Sequence, residues 1–178
     1  MKIYIAAGSN IDPENILKRA SGTLAQRIKI NKSSMFYKTA PVGLSSGIKA
    51  GFFINGIFQA ESSLQPEEIR TLLRSIEEKY GRIRTEDRNI SRTLDLDLVL
   101  YGNWIIQTGD YSIPDPDITT RDFLSVPLKE LEPELIIPGI DQAISEIAPT
   151  QHTMLSMPKM TAIVRIQIEI YRRLHEYR

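Results

Sequence analysis

Arg92-Thr93-Leu94-Asp95-Leu96-Asp97-Leu98-Val99-Leu100-Tyr101 is the stretch on which the reading of this chain turns. Leu94, Leu96, Leu98 and Leu100 fall on one side of a period-two pattern, and Asp95, Asp97, Val99 and Tyr101 on the other, which predicts a strand with an apolar back. Residues two apart on a strand stand about 6.5–7 Å apart and point the same way. Two carboxylates so placed repel, and aspartate is depleted in strands, so a cation is the natural relief. Magnesium bound by one or two carboxylates together with substrate phosphates supplies it, and two such ions about 3.5–4 Å apart match the spacing. Asp95 and Asp97 are therefore candidate metal ligands in a nucleotide site. The plainer alternative is a half-exposed strand with leucines in and acids out.

Arg82, Arg84, Arg88 and Arg92 lie just before the strand and carry the opposite sign. Guanidinium forks suit phosphate oxygens, although arginines beside aspartates also form plain ion pairs. The 178 residues suit one domain, with 22 basic and 22 acidic side chains and no net charge, so a broadly basic nucleic-acid face is not indicated. With no cysteine, disulfides, thiolate metal sites and thiol nucleophiles are excluded. Met1-Lys2-Ile3-Tyr4-Ile5 runs straight into a strand pattern without the apolar core of a signal peptide, and no run approaches a membrane span. A soluble cytoplasmic protein is the expectation. His152 and His175 both come late, which disfavours a histidine-driven nucleophile.

In chain order, 2–7 reads as a strand, and Asp12 as the cap of a helix with Pro13 at its first position and a stripe of Leu17, Ala20, Leu24 and Ile28. A second strand is expected over 29–38, then a long mobile glycine-rich loop over 39–51, then a third strand over 52–61. That strand puts Phe53, Asn55 and Ile57 on one face, as a stacking ring and a hydrogen-bonding amide for a flat heterocycle or as plain core. A second helix opens at Pro66 with the stripe Ile69, Leu72, Leu73, Ile76 and Tyr80 and stops at Gly81; Arg74 and Glu77 lie off the stripe. Gly102-Asn103 signals a hairpin that returns 104–107 beside the acidic strand. Pro114-Asp115-Pro116-Asp117 is a rigid turn into a short helix containing Arg121 and Phe123; 130–138 is loop-like, and Asp141 caps a helix to about Ile147. The segment 160–171 reads as a strand then a short helix, whose edge could pair with a second copy. The order βαββαβ predicts an α/β (α+β) sandwich of the ferredoxin-like kind, an antiparallel sheet with helices on one face and C-terminal additions.

These residues resemble the 6-hydroxymethyl-7,8-dihydropterin pyrophosphokinases of folate biosynthesis. The likeness runs through Ala6-Ala7-Gly8-Ser9-Asn10, Ser33 to Gly43, Phe53-Ile54-Asn55, Gly81-Arg82-Ile83-Arg84, Arg92 to Asp97 and Arg121 to Leu128, and covers about residues 1–150. It implies a pyrophosphokinase domain over 1–153; residues 154–178 have no counterpart in the family pattern and are expected to form an extension packed on the domain or at a subunit contact in a monomer or homodimer. It implies transfer of a diphosphate from ATP to the pterin hydroxymethyl group with release of AMP. Two Mg2+ would be held by Asp95 and Asp97, with Arg82 and Arg92 as loop cations at the reacting phosphates. Arg74, Glu77, Arg84, the backbone of Leu98, Ser112, Asp115 and Arg121 match positions around the nucleotide. Phe53 and Phe123 match an aromatic sandwich for the pterin, Asn55 the amide that reads its edge, and Thr39, Pro41 and Val42 the adjoining wall. The loops 39–51 and 82–92 correspond to mobile lids.

The chain departs from the family pattern in three places. Asn89-Ile90-Ser91 stands where an aromatic residue, glycine and proline are usual, Asp115 where histidine is usual, and Arg74 where glutamine is frequent. An acid in place of a phosphate-facing donor weakens ATP binding unless Asp115 turns away or meets a cation. Two rival readings share the fold: another two-metal nucleotidyl-transfer enzyme, and an RNA-binding module, which needs exposed aromatics where this strand shows aspartates.

Overall fold

Ile3-Tyr4-Ile5-Ala6-Ala7 has almost no polar face because the strand it forms is covered on both sides. In the computed structural model of the protein, which describes residues 1–41, 51–82 and 93–156, this strand lies between two neighbours in the main sheet. The elements follow as β1 (Lys2–Ser9), α1 (Pro13–Ala25), β2 (Lys29–Ser33), β3 (Tyr37–Thr39), β4 (Phe53–Glu61), α2 (Pro66–Lys79) and β5 (Asp95–Tyr101). Then come β6 (Ile106–Gln107), β7 (Ser112–Ile113), α3 (Asp122–Leu131), β8 (Ile136–Ile137), β9 (Gln142–Ala143) and β10 (Met154–Ser156). The main sheet is ordered β10-β3-β4-β1-β5, with β2 also pairing β4, and its pairings are antiparallel. That is the ferredoxin-like order, with β2 and β3 sharing one strand's place.

The single strand expected over 29–38 is broken at 34–36. Ser34 still exchanges bonds with Ile57, its N–H donating to the carbonyl at 2.9 Å and its hydroxyl accepting from the Ile57 amide at 2.9 Å. The break seats the fully buried Phe36 over Gly56, where an added Cβ would lie 2.8 Å from the ring.

Helices cover both faces, not one. Leu17, Ala20 and Leu24 of α1 and Ile69, Leu73 and Ile76 of α2 pack on Ile3, Ile5, Ile54, Phe58, Leu94, Leu96 and Leu98. On the opposite face Leu124, Leu128 and Leu131 of α3 pack on Tyr4, Ile57, Val99 and Leu100. Leu100 and Tyr101 have therefore exchanged the sides that strict alternation assigns them. The cause is a β-bulge: Tyr4 pairs with Leu100 and Ile5 with Leu98, leaving Val99 as the extra residue. One inserted residue reverses the phase of everything beyond it.

Several turns also differ from expectation. Asp12 occupies the cap position of α1 at φ 44° but makes no capping bond, its carboxylate accepting instead from Asn15 Nδ2 at 2.9 Å. Residues 104–107 do not return along β5; β6 pairs β7, while Trp104 packs edge-on against Tyr101 with centroids 5.2 Å apart. The loop-like reading of 130–138 gives way to the end of α3 and to β8. Asp141, at φ 56°, belongs to the turn joining β8 to β9, and only a 3₁₀ turn over Ile144–Glu146 follows. Arg121 precedes α3 as its cap residue and does not lie within it. Residues 154–156 pair with β3, and the pattern read over 160–171 lies outside the described residues.

Candidate active site

The register of the sheet assembles the site. Gly8 pairs with both Asn55 and Asp95, Ala6 with both Ile57 and Asp97, Tyr37 with Asn55, and Thr39 with Phe53. Directly opposed residues share a face, so Asp97, Asp95, Asn55, Phe53 and Thr39 line one end of the face that α3 covers. Gly8 leaves the floor open between the acids and the amide: a Cβ there would lie 2.4 Å from Asn55 Oδ1 and 3.8 Å from Asp95 Cβ. Asn55 Nδ2 donates to the hydroxyl of the buried Thr39 at 2.7 Å. Phe53 and Phe123 are both half-buried, and Phe123, the second residue of α3, carries the Arg121 guanidinium 5.7 Å from its ring centre.

At the acidic end the charges are crowded. Glu77, 1% exposed although it lies off the apolar stripe of α2, accepts the Leu96 amide at 2.8 Å and so ties α2 to β5. Arg82 lies between Glu77 and Asp95 and donates to both, with the Leu94 carbonyl 3.3 Å away. Plain ion pairing, the lesser possibility for the arginines, is what Arg82 does here. Asp97 keeps open surface, yet the protein packed around it displaces solvent from its carboxylate. That desolvation, reinforced by Asp95, Glu77 and Asp115 and only partly offset by Arg82, pushes its carboxyl up to about 7.

Asp115 turns inward. Its Oδ1 accepts the Asp117 amide at 2.8 Å and caps the 3₁₀ turn Pro116–Ile118, while its own amide donates to Val99 O at 3.0 Å. Burial raises its carboxyl above the usual range despite that bond. Arg121 forms an ion pair with Asp117 at 2.9 Å. Ser112 is half-buried in β7, Leu98 is buried in β5, Pro41 is half-buried, and Arg74 is exposed on α2. Val42, Arg84 and Arg92 lie outside the described residues, as do most of both expected lids.

Among the described residues no group of three or more histidine, cysteine, aspartate or glutamate side chains forms a metal cage. Two carboxylates at strand spacing, one of them destabilised by neighbouring negative charge, fit magnesium instead, which takes most of its remaining ligands from phosphates and water.

The family model for 7,8-dihydro-6-hydroxymethylpterin-pyrophosphokinase (HPPK) matches residues 4–133. The chain belongs to the HPPK family. Its 2-amino-4-hydroxy-6-hydroxymethyldihydropteridine pyrophosphokinase relative in Haemophilus influenzae is 35% identical over 159 residues, 86% of this chain and 96% of that one. The Bacillus subtilis protein of the same name is 37% identical over 131 residues, 72% of this chain and 76% of that one. Among solved structures, Plasmodium falciparum HPPK-DHPS superposes with a TM-score of 0.54 at 11% identity, over 98% of this chain and 45% of that one, a likeness of fold.

Three residues beside the candidate site take no role from sequence pattern alone. Gly8 and Asp122 stand only within strings that carry the family resemblance, and Asp117 only in the rigid turn after Pro116. Asp117 holds Arg121, and Asp122 binds a segment 31 residues away. The four-residue spacing of Asp117 and Arg121 is that of a local ion pair, whereas nothing in the spacing along the chain points Asp122 to Thr153.

Proposed function

We infer that the protein transfers a diphosphate from ATP to the hydroxymethyl group of 6-hydroxymethyl-7,8-dihydropterin, releasing AMP, a step of folate biosynthesis. The observation that carries this is the match to the HPPK family over 4–133, with the two aspartates, Asn55 and Phe53 brought onto one face across Gly8. The pterin hydroxyl oxygen forms a bond to the β-phosphorus, the bond from that phosphorus to the oxygen bridging to the α-phosphate breaks, AMP departs with that oxygen, and the hydroxyl proton is lost.

Asp95 and Asp97 would hold Mg2+, two ions in this reading, which when bound supplies positive charge along the triphosphate. Arg82 stands at Asp95 and would exchange that carboxylate for phosphate oxygens, with Glu77 as its fixed anchor. By the family resemblance, Arg92 and Arg84 would add their charge to that of Arg82 at the phosphates. Arg121, Ser112, the Leu98 backbone and Arg74 complete the nucleotide side, while Asp115, spent on its own turn, shapes the wall without donating. Phe53 and Phe123 would stack on the pterin, and the Thr39 hydroxyl fixes the Asn55 amide for its edge, with Pro41 and Val42 alongside. Charge stabilisation and positioning, not a strong base, carry phosphoryl transfer of this kind.

All these residues come from one chain, so the reading requires no second subunit, and the small soluble substrates suit the cytoplasm. The test is product analysis. Purified protein should release AMP from ATP only with hydroxymethyldihydropterin and magnesium present. ADP would indicate an ordinary kinase, and pyrophosphate released without pterin a nucleotidyl-transfer enzyme.

A further inference from the structure

Asp122, the first residue of α3, is 4% exposed, and its carboxylate is spent on a segment far along the chain. Oδ2 accepts the Thr153 amide at 2.6 Å and the Met154 amide at 3.0 Å, and Oδ1 accepts the Thr153 hydroxyl at 2.7 Å. The same segment is sewn to the entry of α3 by its backbone, Gln151 N donating to Thr120 O at 2.8 Å and Asp122 N to Gln151 O at 3.2 Å. Its other edge holds β3: Ala40 N donates to Thr153 O at 2.8 Å, and Met154 pairs with Thr39. Thr39 in turn holds Asn55. A continuous line of bonds thus runs from the residue before Phe123 to the amide of Asn55.

We propose that Asp122 is a positioning residue for the pterin. Through Thr153 it sets the separation between Phe123 at the start of α3 and the Thr39–Asn55 wall, so residues 151–156 act as a strap across the pterin end of the site. The proposal rests on the reading that Phe53, Asn55 and Phe123 hold that ring. Asp122 governs the first turn of α3 alone. Leu124, Leu128 and Leu131 bury the rest of the helix, and Glu130 fixes its far half by accepting the Met35 amide at 2.8 and 2.9 Å. Loss of the carboxylate therefore loosens one end of α3 and leaves the helix docked. Charge-assisted bonds to a buried carboxylate are strong enough to hold such a spacing.

Isothermal titration on the full chain, with Mg2+ and a non-hydrolysable ATP analogue, tests the idea using hydroxymethyldihydropterin as probe. Asp122→Ala should weaken pterin binding about tenfold while the analogue's own affinity stays within about twofold, since all three bonds to the carboxylate are lost and all lie at the pterin end of the site. In turnover the pterin KM should rise with kcat at saturation retained, a split that a general loss of structure does not produce. Thr153→Val removes one of the three bonds and should weaken pterin about threefold; it decides the matter if Asp122→Ala does not fold. Unchanged pterin affinity, or equal losses for both ligands, overturns the strap. A wild-type chain that binds no pterin at all overturns the functional reading beneath it, so the two failures are distinct.

Discussion

Gly8 faces Asn55 so closely that a methyl group on it would lie 2.4 Å from the amide oxygen Oδ1. The atom in the way is the end of a side chain, not backbone. In Gly8→Ala the amide therefore swings aside and gives up its bond to Thr39, at about 1 kcal/mol of stability. The fold should survive and ATP affinity stay close to wild type, while on the proposed assignment of Asn55 to the pterin edge the pterin affinity falls by about tenfold or more. Titration with each ligand, alongside a thermal melt, checks this; undiminished pterin binding would remove Asn55 from the pterin site.

Asp97 carries a charge that its surroundings resist. Its carboxyl is pushed up to about 7 in the folded chain, first by desolvation and then by Asp95, Glu77 and Asp115, against 3.8 ordinarily. Folding is therefore penalised increasingly as pH rises from the lower value to the upper, and fully above it. In metal-free protein Asp97→Asn should raise the melting temperature at pH 8 and change it little near pH 4, where the carboxyl is largely protonated in the folded state. Turnover should be lost at every pH. Melts in chelator at the two pH values decide it, and a variant less stable than wild type at pH 8 contradicts the crowding of charge described here.

Local periodicity explains which parts of this architecture could be read beforehand. Leu94, Leu96 and Leu98 do form the apolar back of β5, and the stripes of α1 and α2 do face the sheet, because each pattern reports burial within a few residues. The pattern fails where a distant partner decides. Val99 bulges because of its pairing with β1, which reverses Leu100 and Tyr101. Phe36 interrupts a strand because Gly56, on another strand, offers it room. α3 covers the second face because Tyr4, Ile57 and Val99 leave apolar surface there. In the candidate site the same division holds: the aspartate pair shows in the spacing, but the bond of Asp115 to its own turn and the grip of Glu77 on Arg82 depend on folded geometry.

Arg82 is also a structural cation. Its side chain is 14% exposed, against 1% for Glu77 and 19% for Asp95. Arg82→Ala leaves Glu77 as a buried acid without that cation, and breaking such a pair costs on the order of 3 kcal/mol. Adding Glu77→Gln should restore much of the loss, since the glutamine oxygen still accepts the Leu96 amide. Urea unfolding of the two single variants and the double variant measures the coupling. Strictly additive losses would show that the contact contributes nothing to the fold.

Glu132 closes the opposite end of β1 from Gly8. Its carboxylate accepts from Lys2 Nζ at 3.0 Å, from Tyr4 OH at 2.5 Å and from Gln59 Nε2 at 2.9 Å. Burial alone would raise this carboxyl, but the bonds from Tyr4 and Lys2 and the charges of Lys2 and Lys32 hold it below its ordinary 4.5. A depressed carboxyl contributes stability that is fully present above the unfolded value and fades as pH falls through the folded one. Glu132→Gln should therefore be less stable than wild type at pH 7, by about 1 kcal/mol or less because the glutamate is only partly shielded, and the deficit should shrink at pH 3. The AMP-forming rate should not change, since Lys2, Tyr4 and Gln59, which hold this carboxylate, are not among the candidate site residues. Urea midpoints at the two pH values give the answer, and a deficit that persists unchanged at low pH would mean that packing, not the ionised carboxylate, does the stabilising.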